Sequence, residues 1–243
     1  MCVAALAWNA HPRWRLVVAA NRDEYHERPT APLAHWGHGV IAGQDLRAGG
    51  TWLGAGAEGR FALVTNHRVE GYPRPELASR GALVTGWLEQ GALPANMATM
   101  NPFNLMCIGM EGALFASNWP HEQVRTLQPG IHGVSNGPFD QPWPKARRLC
   151  AALDEWLELD SGDSEPLFAA LRDEAARQPV EAGKTDPEPR LSGVFIRDPL
   201  YGTRCSTVVM MGSDGAGTII ERRFDSRGAQ SGETALAFTA PAA

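Results

Sequence analysis

The sequence predicts a layered α+β fold, two stacked β-sheets with helices on both outer faces. Three observations lead there. Strand-like segments fill the first half, helices come between and after them, and strands return near the C-terminus. The strand segments are almost continuously apolar rather than alternating, as expected of strands covered on both faces. No internal repeat or composition shift divides the 243 residues, 44% of them hydrophobic, so 1–243 reads as one domain.

The elements follow in order. "CVAALAW" (2–8) and "RLVVAANRD" (15–23) flank the turn-rich "NAHPR" and form a hairpin. "GTWLGAG" (50–56) and "RFALVTN" (60–66), separated by "AEG", form a second. "NLMCIGM" (104–110) and "ALFASN" (113–118), joined by Glu111 and Gly112, form a third. A short helix is expected over 78–91. The clearest helix is "PKARRLCAALDEWLEL" (144–159), with Pro144 in its first turn and Leu149, Leu153, Trp156 and Leu157 as its apolar stripe. A further helix, 164–178, has Ser164 at the cap position. A polar, Pro- and Gly-rich loop, 179–193, has the length of a lid. "GVFIRD" (193–198), "CSTVVMMG" (205–212) and "GTIIERRF" (217–224) read as closing strands.

Composition removes several classes of function. The formal net charge is −5 with 20% charged residues, which leaves no nucleic-acid footprint. The short basic runs "KARRL" (145–149) and "ERRF" (221–224) read as solvated faces. No apolar stretch reaches the roughly 20 residues that span a bilayer. The N-terminal apolar run lacks the basic flank of a signal peptide. Four scattered cysteines without a C-x-x-C pair argue against zinc or a disulfide framework, and for a reducing, cytoplasmic setting. Cys107, Cys150 and Cys205 read as structural small hydrophobes.

Cys2 stands apart because of its position. If Met1 is removed, one residue carries a thiol, with pKa about 8.5, and an α-amine, with pKa about 7.7–8.0. The neutral amine can take the thiol proton, so nucleophile and base coincide. Such a site needs an acceptor to orient the amine, a cation to favour the thiolate, and donors for an oxyanion. "NRDE" (21–24) ends the strand expected to pair with the Cys2 strand, offering Asp23 as acceptor and Arg22 as cation. Side chains alternate along a regular strand, so a turn or bulge is needed for both to face one way, with Asn21 otherwise pairing with Asp23. Asn66 and Asn136 leave apolar strands at turns, where their amides can serve as donors. Arg204, ahead of a buried strand, can bind a substrate carboxylate or phosphate.

The ordered elements "MC", "LVVAANRDE", "GGTWLG", "GRFALVTNHR" and "YGTRCSTVV" resemble the NRDE family, also called the transport and Golgi organisation family. The resemblance implies the four-layer αββα fold of the N-terminal nucleophile (Ntn) hydrolases, similar in layout to bile salt hydrolases, penicillin V acylases and acid ceramidase. It implies Cys2 as nucleophile, with Arg22, Asp23, Asn66, Asn136 and Arg204 as the accompanying catalytic set. The acylases carry an R-x-x-D spacing where Arg22 and Asp23 are adjacent, so Glu24 or Asn21 is an alternative for one role. The implied activity is hydrolysis of an amide or thioester in a small acylated metabolite, with no cofactor required. The family also implies an alternative: a non-catalytic carrier of haem, acyl-CoA or lipid. For haem, His35 and His38 are the nearest pair.

Overall fold

The computed structural model describes residues 2–175 and 192–241. The expected loop 179–193 falls almost entirely outside them. Among the described residues, thirteen strands build two antiparallel sheets. The six-stranded sheet has the order β10 (Gly130–Val134), β1 (Val3–Trp8), β2 (Trp14–Tyr25), β11 (Tyr201–Gly212), β12 (Ala216–Phe224), β13 (Gln230–Thr239). The seven-stranded sheet runs in chain order: β3 (Thr30–His35), β4 (Ile41–Asp45), β5 (Leu53–Ala55), β6 (Phe61–Asn66), β7 (Phe103–Gly109), β8 (Gly112–Ser117), β9 (Gln123–Leu127). Helix α1 (Gly81–Gln90) packs on β5, β6 and β7. Helices α2 (Pro144–Leu159) and α3 (Glu165–Leu171) pack on the other sheet. The layers are therefore α1, two sheets, then α2 with α3, an αββα sandwich.

Residue alternation fixes which side chains enter which layer. In β1 and β2, Ala4, Leu6, Leu16, Val18 and Ala20 point between the sheets, against Leu63, Met106 and Phe115. Their neighbours Val3, Ala5, Val17 and Ala19 point outward, against Leu149, Leu153 and Trp156 of α2. Both faces are covered, which is why these strands read as continuous apolar runs. Each fully buried large side chain of the α2 stripe is worth about 1.5–3 kcal/mol over exposure.

Several local expectations are corrected. Lys145, expected on a solvated face, is 1% exposed, and Glu221 of the second basic run is 4% exposed. Both are buried because each is paired: Lys145 with Asp23, Glu221 with Arg223 and the Leu33 amide. Ser164 makes no side-chain cap; Asp163 accepts the Glu165 amide in its place. Helix α3 ends at Leu171. "GVFIRD" is not a strand. Val194, Phe195 and Ile196 are buried in irregular backbone whose carbonyls and amides bond Asn21, Asp173 and Thr203. A β-bulge does lie beside the "NRDE" stretch, but in the partner strand.

Candidate active site

The site forms where β1, β2, β10 and β11 end together. The β1–β2 register pairs Val3 with Asn21, and Cys2 directly precedes that pair. On the other side β1 pairs with β10, Ala4 facing Val134, which brings Ser135 and Asn136 alongside Cys2. The Ser135 hydroxyl donates to the Cys2 carbonyl at 2.8 Å, and Thr65 donates to the Ser135 carbonyl at 2.5 Å. The backbone end of Cys2 is thus tied to β6, across the sandwich.

Arg22 and Asp23 point opposite ways, as alternation requires. Arg22 follows the inward face of Ala20, is 5% exposed, and reaches Thr30 (3.2 Å) and Asp45 (3.4 Å) on the opposite sheet. Asp23 follows the outward face of Ala19 and meets α2, where Lys145 Nζ stands 3.8 Å from Oδ2. Strand β2 needs no distortion. The bulge lies in β11: Thr203 opposes Asp23 and Cys205 opposes Arg22, leaving Arg204 as the extra residue. That insertion lets the Thr203 hydroxyl donate to Asp23 Oδ1 at 2.7 Å while it accepts the Ile196 amide. It also turns Arg204 aside. The Arg204 guanidinium donates to the carbonyls of Tyr25 (2.9 Å) and Arg28 (3.0 Å), so it braces the end of β2.

Cys2 lines a pocket of about 100 Å³ together with Arg22, Asp23, Asn66 and Arg80. Asn66 is exposed to this space at the end of β6. Asn136 is buried behind it: its Nδ2 donates to the Asn66 carbonyl at 2.7 Å, while its Oδ1 has no hydrogen-bond partner among the described residues. Arg80, at the N-terminal end of α1, lines the same pocket, with its guanidinium donating to the Pro102 carbonyl at 3.3 Å, and was not singled out by sequence. Nothing in the "ASRGAL" pattern distinguishes it. Lys145 was legible in principle, because it precedes Leu149 and Leu153 at helical spacing and so stands on the apolar stripe. His35 and His38, the sequence's haem-ligand pair, are both exposed, at the end of β3 and in the turn after it.

Burial dominates the electrostatics. It pushes the Cys2 thiol above its ordinary pKa, with the Asp23 charge adding to the rise; the charge of the N-terminal amine, the Asp23 backbone N–H and Arg22 pull the other way and lose. Arg22, which also pairs with Asp45, is the weakest of these influences. The resting sulfur is therefore a thiol that needs a base, not a preformed thiolate. Burial also raises the Asp23 carboxyl, against the opposing pull of Lys145 and the Thr203 hydroxyl. Cys107 and Cys205 are pushed well up by burial, and Cys150 to about 11.

Two stacked sheets faced by helices on both outer sides give the αββα layout of the Ntn-hydrolase fold. Its layout is similar to the structure of a Caenorhabditis elegans N-acylethanolamine-hydrolyzing acid amidase ortholog, with a TM-score of 0.51 at 13% identity, over 85% of this chain and 92% of that one. Residues 1–226 match the family model Transport and Golgi organisation 2. The chain is 32% identical to the Transport and Golgi organization protein 2 homolog of Bos taurus, over 91% of this chain and 92% of that protein. The Homo sapiens homolog is 30% identical over the same shares, and the Drosophila melanogaster protein 34% identical over 91% of each. The chain belongs to the Transport and Golgi organisation 2 family. Among the described residues no helix is long and apolar enough to cross a membrane.

Proposed function

We propose that this protein is a cysteine hydrolase of amide or thioester bonds in a small acylated metabolite, acting through Cys2 once Met1 has been removed. The observation that carries the reading is the meeting of the Cys2 thiol, Asn66 and Arg80 in one small pocket at the end of the sandwich. The freed α-amine of Cys2 takes the thiol proton and the sulfur attacks the acyl carbon. The carbonyl oxygen, now negative, is received by the Asn66 amide. The amine returns its proton to the departing nitrogen or sulfur, leaving a thioester on Cys2. Water, deprotonated by the same amine, then releases the acid and restores the thiol.

The other residues hold this centre. Asp23, fixed by Thr203 and Lys145, orients the amine. Asn136 positions the Asn66 backbone, and its buried Oδ1 is left to accept from the Cys2 amine. Arg80 takes the anchoring part that sequence gave to Arg204: both guanidinium groups bond backbone carbonyls, but Arg80 lines the pocket and Arg204 does not. The raised thiol makes an internal base necessary, and that favours the amine mechanism over a standing thiolate. A pocket of about 100 Å³ suits a short acyl group at the reacting end. Four free thiols support a reducing, cytoplasmic setting.

A panel of N-acyl and acyl-thioester compounds, tested on the mature protein and on Cys2→Ala and Asn66→Ala, decides between enzyme and carrier. Loss of one oxyanion donor costs about 10²–10³ in turnover and little in ground-state affinity. Turnover falling this far in Asn66→Ala, with binding kept, supports the enzyme. Stoichiometric haem or acyl-CoA binding, with no hydrolysis of any compound by the wild type, supports the carrier.

A further inference from the structure

A second cavity, of about 650 Å³, is formed by the segments that follow Asn66 and Asn136 in the chain; His67, Tyr72, Trp119 and Trp143 line it, together with the charged Arg68 and Glu70. No lining residue is common to this cavity and the Cys2 pocket. Its volume is within the ~300–1,000 Å³ usual for small-molecule sites, which combine apolar and aromatic walls with a few placed polar atoms. Tyr72 and Trp119 meet edge to face at 6.0 Å, and the Trp143 indole lies directly against Gly137, where a Cβ would collide with it.

The placed polar atom is on His67. Asn104, 1% exposed, donates from Nδ2 to the carbonyls of Ser135 (3.1 Å) and Gly137 (2.9 Å). Those two bonds fix the amide, since the flipped form would set its oxygen against two carbonyl oxygens. Asn104 Oδ1 therefore faces His67 Nδ1 at 3.2 Å, and Nδ1 must carry the proton. The other ring nitrogen, Nε2, is left as a lone-pair acceptor on a side chain only 9% exposed. Burial lowers the His67 pKa, so the ring stays neutral and the lone pair stays available.

We infer that this cavity binds a planar aromatic small molecule that donates one N–H or O–H to His67 Nε2. The aromatic walls take the flat body, and the His67 Nε2 lone pair, its tautomer fixed by Asn104, selects for a donor. This goes beyond the hydrolase reading and does not depend on it, since Cys2 takes no part.

The test compares 4-ethylphenol with 4-ethylanisole, which keeps the ring but has no donor, on protein labelled with ¹⁵N-histidine. The His67 resonances are assigned by their disappearance in His67→Phe. In the free protein Nδ1 should be protonated and Nε2 not. 4-Ethylphenol should shift the Nε2 resonance and bind about fivefold more tightly than 4-ethylanisole, the worth of one neutral hydrogen bond. His67→Phe should abolish that preference. Proton occupancy at Nε2, equal binding of the two probes, or phenol that leaves His67 unmoved would each overturn the inference. The two-probe comparison on wild type decides the matter even if the variant folds poorly.

Discussion

Replacing Lys145 by Met should be among the most damaging single substitutions in this protein. The ammonium stands 3.8 Å from Asp23 Oδ2, with side chains 1% and 0% exposed. At that separation and an effective dielectric of about 20, Coulomb attraction is about 4 kcal/mol. Removing one partner of a buried pair costs roughly 3–5 kcal/mol. For a chain of this size each kcal/mol moves Tm by about 2–4 °C, so Lys145→Met should lower Tm by about 10 °C. Asp23→Asn keeps an acceptor for the Thr203 hydroxyl, and the double variant Lys145→Met with Asp23→Asn removes both charges together. It should recover much of the loss in thermal and urea unfolding. A single-variant cost under about 1 kcal/mol, against the roughly 3–5 expected, or a double variant as unstable as the sum of the singles, would refute the pairing argument.

Other expectations are as direct. On protein retaining Met1, iodoacetamide labelling of Cys2 should rise about tenfold per pH unit up to pH 8.5, because burial raises the thiol pKa and thiolate grows as pH rises; a plateau at or below neutral pH would contradict this. Cys107 and Cys205 should stay unlabelled in the folded protein under the same conditions. Gly50→Ala would set a Cβ 2.6 Å from the Gly81 backbone, where both residues line the Cys2 pocket. It should cost about 1–3 kcal/mol in denaturant unfolding; a neutral result would show that α1 yields freely. Thr203→Val removes a buried donor to Asp23 and a buried acceptor for the Ile196 amide. Calorimetry should show a loss of about 1–3 kcal/mol, and no loss would mean that Asp23 is held by other contacts.

The hairpins and α2 were legible because burial on two faces, or on one helical stripe, writes an apolar pattern that survives in a single sequence. The last strand was not. β13, "QSGETALAFT", alternates exposed and half-buried positions at the sheet edge, so nothing in it reads as core. The "GVFIRD" stretch erred the other way: its apolar residues are buried, but its backbone bonds go to Asn21, Asp173 and Thr203 rather than to a ladder. Cys2 and the "NRDE" residues were legible as chemistry, since a thiol at a chain start and acids off a buried strand stand out. Their geometry was not. One sequence cannot say that the bulge falls at Arg204, or that Lys145 leaves solvent to meet Asp23. Both facts depend on how distant strands and a helix come together.

The central claim is that Cys2, as the first residue of the mature chain, forms a covalent acyl intermediate. It is tested most directly by acid-quenching the protein during turnover of a hydrolysed acyl compound and measuring the mass of the N-terminal peptide. The account predicts a peptide that begins at Cys2 and carries the acyl group on its sulfur. A peptide that retains Met1, with an unmodified cysteine while substrate is still being consumed, would contradict it.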